Sequence, residues 1–289
     1  EQWGYTDTNT FEAWDITTGS RDVVVAVVDN GFDTYHPDLF PNIWQNEDEI
    51  PDDGIDNDQN GYADDIYGWD FAGVDRNGNG FFEPEELVGD NDPRPDVSDG
   101  ESNTKFDDAI HHATAVAGII GAVGNNGLAG AGINWRVRLM NLRALEQSGR
   151  NDLEALTNAI RYAVDNGADI INISLVGDVQ AELREVVKYA YDQGVAVVAA
   201  AGNTRTPLNI TPLYPICADQ GQDEQWVLGV SAINEAHYLA SFSNIGSDCI
   251  DITAPGVNVN SALRYAPRHG LAELYGGEWK GTSFAAPFV

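Results

Sequence analysis

Residues 152–200 read DLEALTNAIRYAVDNGADIINISLVGDVQAELREVVKYAYDQGVAVVAA, and their periodicity decides the fold. Leu153, Leu156, Ile160 and Ala163 recur at helical spacing over 152–166, and Gly167 supplies a C-cap before the apolar run 168–174. The unit then repeats: Ala181 to Gln193 predicts a helix, Gly194 its cap, and Val195 to Ala199 the next strand. A helix feeding a strand twice in succession predicts an α/β fold with a parallel sheet. Val23 to Val28 is uniformly apolar, as a central strand covered on both faces requires, and Asp29 stands at its carboxyl end. Trp226 to Ala232 and Ile250 to Ala254 predict further strands, and His112 to Ile120 a helix.

A chain of 289 residues, 43% hydrophobic, supports one large core, and a single domain over 1–289 is expected. The formal charge of -31 repels phosphate backbones and anionic headgroups, which excludes nucleic acid and acidic membrane surfaces as partners. No run approaches the roughly 18 apolar residues of a membrane span. The chain opens at Glu1 without a signal-peptide pattern, as a processed terminus would. Cys217 and Cys249 fit either one disulfide or two buried thiols. Asn209-Ile210-Thr211 is a glycosylation triplet in a polar stretch, whereas Asn172-Ile173-Ser174 falls inside a strand pattern with no room for a sugar.

Between Asn46 and Asp108 the composition changes to 21 Asp or Glu against 3 Lys or Arg. Spacing is more informative here than acidity. Asp75, Asn77, Asn79, the Phe81 carbonyl, Glu83 and Glu86 occupy every ligand position of a twelve-residue calcium loop, with Gly80 at its sharp turn. A related array places Asp56, Asp58, Asn60, Tyr62 (through its carbonyl) and Asp64 around Gly61. Its twelfth position is Tyr67, which cannot close the sphere with two oxygens, so Asp65 or a more distant carboxylate would have to. The alternative for this second array is an uncoordinated turn rich in Asx residues.

Three short motifs carry the chemistry. Val27-Val28-Asp29-Asn30-Gly31, then His112-Ala113-Thr114-Ala115-Val116-Ala117-Gly118, then Gly281-Thr282-Ser283-Phe284-Ala285-Ala286-Pro287 resemble the aspartate, histidine and nucleophile motifs of the subtilases, in that family's order. The resemblance covers nearly the whole chain. It implies a subtilisin-like, three-layer α/β fold with a mostly parallel central sheet flanked by helices. It also implies a secreted serine endopeptidase that attacks peptide bonds through Ser283, with His112 as base and Asp29 orienting it. Ala200-Ala201-Gly202-Asn203 resembles the family's oxyanion motif and assigns Asn203 that role. Ser174, Leu175, Val176, Gly177 and Gly202 are then the substrate-binding positions. His36-Pro37-Asp38 resembles a segment whose aspartate often ligates calcium, and Gln2, Val123, Asn125, Gly127 and Ala129 would complete that third site. Two or three calcium ions are therefore expected. A mostly secreted family favours the Cys217–Cys249 disulfide, and polypeptide substrates and an N-terminal propeptide are the partners implied. Members continue through the helix that begins at the nucleophile, so a C-terminal segment beyond Val289, cleaved or held separately, is expected too.

The chain departs from the family at several positions. Asn30 replaces the usual Ser or Thr, Ala113 a Gly, Ala115 a second His, Phe288 a frequent His, and Val176 a Gly of the substrate-pairing strand, where it would narrow the adjacent pocket. None of these removes a proton-transfer group. His111 precedes the base in sequence and reads as a surface or helix-start residue. A catalytically silent scaffold or a calcium-stabilised adhesion module would leave the intact Ser283 motif unexplained.

Overall fold

The computed structural model describes residues 2–72, 89–95, 108–145, 153–178 and 181–289. The loop predicted over Asp75–Glu86 lies outside them. The strands are β1 (Gly19–Asp29), β2 (Gly68–Asp70), β3 (Arg136–Arg143), β4 (Ile170–Ile173), β5 (Ala196–Ala200), β6 (Val227–Ile233) and β7 (Ile252–Pro255), forming one sheet in the order β2-β3-β1-β4-β5-β6-β7. Every pair in it is parallel. β8 (Val257–Ala262) and β9 (Tyr275–Lys280) form a separate antiparallel pair. The helices are α1 (Trp3–Asp7), α2 (Thr10–Trp14), α3 (Asp108–Gly121), α4 (Leu153–Asp165), α5 (Ala181–Asp192) and α6 (Thr282–Ala285).

The uniform apolarity of β1 follows from its two neighbours. Val24, Ala26 and Val28 pack into the core that α4 and α5 cover, while Val25 and Val27 point into the core beneath α3 and α6. Alternate side chains of a strand face opposite ways, so a strand between two helical layers has no polar face. The result is the three-layer architecture expected. Both predicted helix–strand junctions are Schellman turns: Ala168 N–H donates to Ala163 O and Val195 N–H to Ala190 O, each at 2.9 Å, with Gly167 and Gly194 at positive φ. Asn172 is buried within β4, as the strand reading of its glycosylation triplet required.

Strand β3 gave no clear sequence signal, because arginines interrupt it. Arg143 is buried, and its Nη1 lies 2.9 Å from Asp70 Oδ2 on β2. The charge is tolerated there because it is paired. Cys217 and Cys249 are disulfide-bonded, with Cα atoms 4.9 Å apart, and both are buried. Among the described residues no helix is long and apolar enough to cross a membrane.

Sheet order also places the site. From β1 the chain builds outward through β3 on one side and β4 on the other. In open parallel sheets ligands bind beyond the carboxyl ends of the strands, beside such a reversal. Asp29 ends β1, Ser174 follows β4, and Gly202 and Asn203 follow β5.

Candidate active site

A cleft of about 840 Å³ opens at those strand ends, and Asp29, His112, Asn203 and Ser283 all line it. Asp29 is buried, and its Oδ1 lies 2.8 Å from His112 Nδ1. Asn30 N–H donates to the same oxygen at 2.7 Å, while Asp29 Oδ2 is buried without a hydrogen-bond partner. An acceptor fixed at Nδ1 selects the tautomer that keeps its proton there and leaves Nε2 free to accept one. Burial disfavours the imidazolium, but the charge of Asp29 and its hydrogen bond outweigh that and hold the His112 pKa above the ordinary histidine value.

Ser283 stands in the first turn of α6, where helix geometry leaves backbone N–H groups without intrahelical acceptors. Its hydroxyl donates to Ser174 O at 3.1 Å, and Ser174 Oγ donates to Ser283 O at 3.1 Å, so the end of β4 and the start of α6 are tied twice. Asn203 is oriented by its neighbour. Thr282 N–H and Thr282 Oγ1 both donate to Asn203 Oδ1, at 2.9 and 3.1 Å, which leaves the Nδ2 end of the amide as the donor available to the cleft. Thr282 Oγ1 also accepts from Gly202 N–H at 2.9 Å. Gly202 has φ +94, and a Cβ on it would fall 2.5 Å from Asn244 Nδ2 and 3.0 Å from Val176 Cγ2, so this turn requires glycine.

Of the expected substrate positions, Ser174, Leu175, Val176 and Gly202 line the cleft. Gly177 does not join them: its N–H and C=O are both paired with Tyr214, at 2.8 Å each. His111 is not on the surface. It is buried, and its Nδ1 accepts from Arg264 N–H at 3.0 Å. Phe284 packs against His112, with ring centroids 5.2 Å apart, and against Trp279 at 5.1 Å. Ala113 buries its additional methyl completely in the core under α3.

Carboxylate oxygens of Glu49, Asp58 and Asp65 lie within 4.8 Å of one another. From the second predicted calcium array the structure brings together Asp58 and Asp65, the carboxylate offered to close it, and Glu49 joins them. Glu49 precedes the array and lies outside the twelve positions that its spacing defines. The other members shape the loop. Asp56 accepts from Asn60 N–H and Gly61 N–H at 3.0 and 2.9 Å, and Asp64 from Asp53 N–H and Gly54 N–H at 3.1 and 2.9 Å. Asn60 Nδ2 donates to Asp58 and Asp65 at 3.0 and 2.9 Å. The Tyr62 ring packs on Trp69, Phe71 and Tyr162. Burial, with the charge of Asp58 adding to it, raises the Asp65 pKa despite hydrogen bonds from Tyr162, Asn60 and Asn46. Three hard oxygen ligands converging at this range suit a divalent cation such as calcium.

Around the third expected set, Asp38 and the 123–130 loop are neighbours, a Cβ on Gly130 falling 2.4 Å from Asp38 Oδ2. Asp38 is buried, with Oδ1 accepting from Asn126 Nδ2 at 2.5 Å and Oδ2 from the Tyr275 hydroxyl at 2.7 Å. Its backbone O accepts from Val123 N–H at 2.9 Å. Asn125, the expected ligand, takes a left-handed conformation, φ +57, ahead of Gly127 at φ +82, and it is the neighbouring Asn126 that hydrogen-bonds Asp38. Gln2 exchanges two hydrogen bonds with the backbone of Asn260, at 2.6 and 2.7 Å.

Residues 20–289 match the model of the subtilase family. The chain is 32% identical over 292 residues to a thermophilic serine proteinase of Bacillus sp. (strain AK1), covering all of this chain and 55% of that protein. Thermitase of Thermoactinomyces vulgaris is 31% identical over 279 residues, with 96% and 75% covered. Halolysin of Haloferax mediterranei is 33% identical over 290 residues, with 100% and 44% covered. The chain therefore spans about half the length of the first of these relatives. With a match that runs from residue 20 to residue 289, through all four groups that meet in the cleft, the chain belongs to the subtilase family.

Proposed function

We propose that the chain is the catalytic domain of a calcium-stabilised serine endopeptidase that hydrolyses peptide bonds through an acyl-enzyme. The observation that carries this reading is the His112–Asp29 hydrogen bond, 2.8 Å long, set in the same cleft as Ser283 and Asn203. His112 Nε2 is the acceptor we assign to the Ser283 hydroxyl once that hydroxyl leaves Ser174 O. His112 takes the proton as the serine oxygen attacks the scissile carbonyl, then returns it to the leaving amine. Asp29 accepts from Nδ1 throughout and stabilises the imidazolium between the two transfers. The oxyanion forms between Asn203 Nδ2 and Ser283 N–H. Water then takes the place of the amine: His112 accepts its proton as it attacks the acyl carbon, and returns it to the Ser283 oxygen as the ester bond breaks. A serine-directed phosphonate tests the assignment directly: peptide mapping places the adduct on Ser283, and an adduct elsewhere moves the nucleophile.

Asn203→Ala is expected to lower kcat by about 100- to 1000-fold, with KM nearly unchanged, since the donor acts mainly on the transition state. That scale, about 3–4 kcal/mol, is the one measured for the oxyanion asparagine of subtilisin itself. Steady-state kinetics of the variant on one peptide substrate check it, and an unchanged kcat would remove Asn203 from the mechanism.

Glu49, Asp58 and Asp65 are the residues we assign to a structural calcium ion, which would neutralise three converging carboxylates and fix the start of the acidic insert. On a Ser283→Ala background, where self-digestion cannot interfere, Glu49→Gln with Asp58→Asn is expected to lower calcium stoichiometry by one. At calcium a hundredfold above Kd, binding at such a site adds about 2.7 kcal/mol to stability, and the double variant should lose that increment. Equal stoichiometry and coincident calcium-dependent unfolding curves would reject the site. The sequence-derived loop from Asp75 to Glu86 is proposed as a further site on its spacing alone.

Polypeptides are the proposed substrates, and an N-terminal propeptide the partner in maturation. An extracytoplasmic location fits the disulfide and the relatives named as extracellular proteases of Natrialba magadii and Bacillus subtilis.

A further inference from the structure

We infer that Asn30 is a positioning residue that registers His112 against Asp29 by holding both elements that carry them. The inference rests on the endopeptidase reading above. Asn30 follows Asp29 at the end of β1 and is buried. Its backbone N–H donates to Asp29 Oδ1 at 2.7 Å, the oxygen that also receives His112 Nδ1. Its side chain crosses to α3: Nδ2 donates to Ala109 O at 2.5 Å, and Oδ1 accepts from Ala113 N–H at 3.1 Å. Ala109 and Ala113 stand four residues apart and bracket His112 in the same turn. They present the carbonyl and the N–H that face each other along a helix, and a primary amide offers the complementary donor and acceptor side by side.

Asn30 thus grips the turn that carries the base while its own backbone holds the carboxylate that orients the base. Two features make this grip consequential. Asp29 Oδ2 is buried without a partner, so among the described residues the hydrogen bonds on this carboxylate come from Asn30 and His112 alone. The other anchors of this stretch of α3, His111 Nδ1 accepting from Arg264 N–H at 3.0 Å and Thr114 Oγ1 accepting from Asp33 N–H at 3.1 Å, do not touch the Asp29 carboxylate. A threonine hydroxyl at position 30 offers one oxygen where the amide offers two separated atoms, and it reaches less far. It can replace one of the two bonds, not both.

Asn30→Ala and Asn30→Thr, each in the full chain, test the role through kinetics, Ser283 labelling and the pH profile. For Asn30→Ala the expectation is a fall in kcat of about 10- to 100-fold, the cost of a misplacement of about 1 Å, with KM within about twofold. Phosphonate labelling of Ser283 should slow by the same factor. The acid limb of kcat/KM should move to lower pH as the Asp29 contact loosens. Asp29 is the charged group facing His112, and the other titratable side chains lining the cleft, His111, Glu278 and Lys280, are the same in both variants. Asn30→Thr is expected to fall between the wild type and Asn30→Ala in all three readouts.

A residue that served stability alone would lower Tm and leave the acid limb in place. Wild-type kcat and an unmoved limb in Asn30→Ala overturn the inference, whatever happens to Tm. Should Asn30→Ala fail to fold, the same result in Asn30→Thr overturns it. If the wild type neither hydrolyses peptides nor labels at Ser283, the endopeptidase reading fails first and this role falls with it. A wild type that labels normally, beside an Asn30 variant with unaltered kinetics, sinks only the role of Asn30.

Discussion

Ser283→Ala is expected to lower kcat by about a millionfold, the scale measured when the nucleophile of subtilisin is removed, while the protein stays folded. Deletion of the hydroxyl removes the attacking atom, and no other described hydroxyl in the cleft occupies its place. Ser174 is the nearest alternative by hydrogen bonding, but its Oγ is engaged with Ser283 O and tied to Asn172 Nδ2 at 3.0 Å. The structural cost is small because the Ser283 hydroxyl makes one hydrogen bond, to Ser174 O. Losing it costs about 1 kcal/mol. The reciprocal bond runs to the Ser283 backbone and survives the substitution. Residual catalysis of about 1000- to 10,000-fold over water should remain, because Asn203 and the substrate-binding edge still bind the transition state. Adding Asn203→Ala to Ser283→Ala should reduce that residue further. Single-turnover kinetics, with circular dichroism to confirm the fold, decide the matter. Persistent burst acylation in the alanine variant would place the nucleophile elsewhere.

The parts of this molecule that were legible in its sequence are those whose environment is repeated along the chain. Val23 to Val28 announced a central strand because both faces meet helices, and the helix–Gly–strand units at Gly167 and Gly194 announced the parallel sheet because each turn needs the same left-handed residue. Strand boundaries drifted by one or two residues at β4 and β7, and by four at the start of β1, where the strand extends beyond its apolar run. β3 stayed hidden because its charges are compensated from a distant segment: Arg143 is satisfied by Asp70, 73 residues away. β8 and β9 form an isolated pair with irregular register and gave no strict alternation to read.

The same distinction holds within the site. Asp29, His112, Asn203 and Ser283, which meet in one cleft, were legible because each sits in a local motif. Glu49 was not, since a carboxylate contributed from outside a loop leaves no trace in the spacing of that loop. Asn126 rather than Asn125 hydrogen-bonds Asp38, beside a left-handed backbone at Asn125 that residue spacing does not reveal. Asn30 stood out in sequence as a departure from Ser or Thr, but its grip on α3 depends on a helix 79 residues downstream. Only the fold brings the two together.

Asp29→Asn is expected to lower kcat by about 10,000-fold, through the tautomer of His112 rather than through lost packing. An asparagine fits the same space, yet its amide can turn Nδ2 toward His112 Nδ1 and donate to it. The imidazole proton then sits on Nε2, where it blocks acceptance of the serine proton. The pH dependence separates this from a merely weakened contact. In the wild type, burial disfavours the imidazolium but the charge of Asp29 prevails, so the His112 pKa lies above its ordinary value of about 6.5. The base must be neutral to act, so kcat/KM falls as pH drops through that raised value. Removing the charge leaves burial unopposed, and the acid limb of the residual activity should shift to lower pH. Stability carries the opposite sign. A pKa raised on folding contributes stability that is full below the unfolded value of about 6.5 and is lost as pH rises through the folded value. On a Ser283→Ala background the wild-type pair should therefore gain stability relative to Asp29→Asn as pH is lowered across that window. Denaturant unfolding of the two proteins at several pH values measures the difference, and parallel curves together with an unmoved acid limb would show that Asp29 does not set the charge of His112.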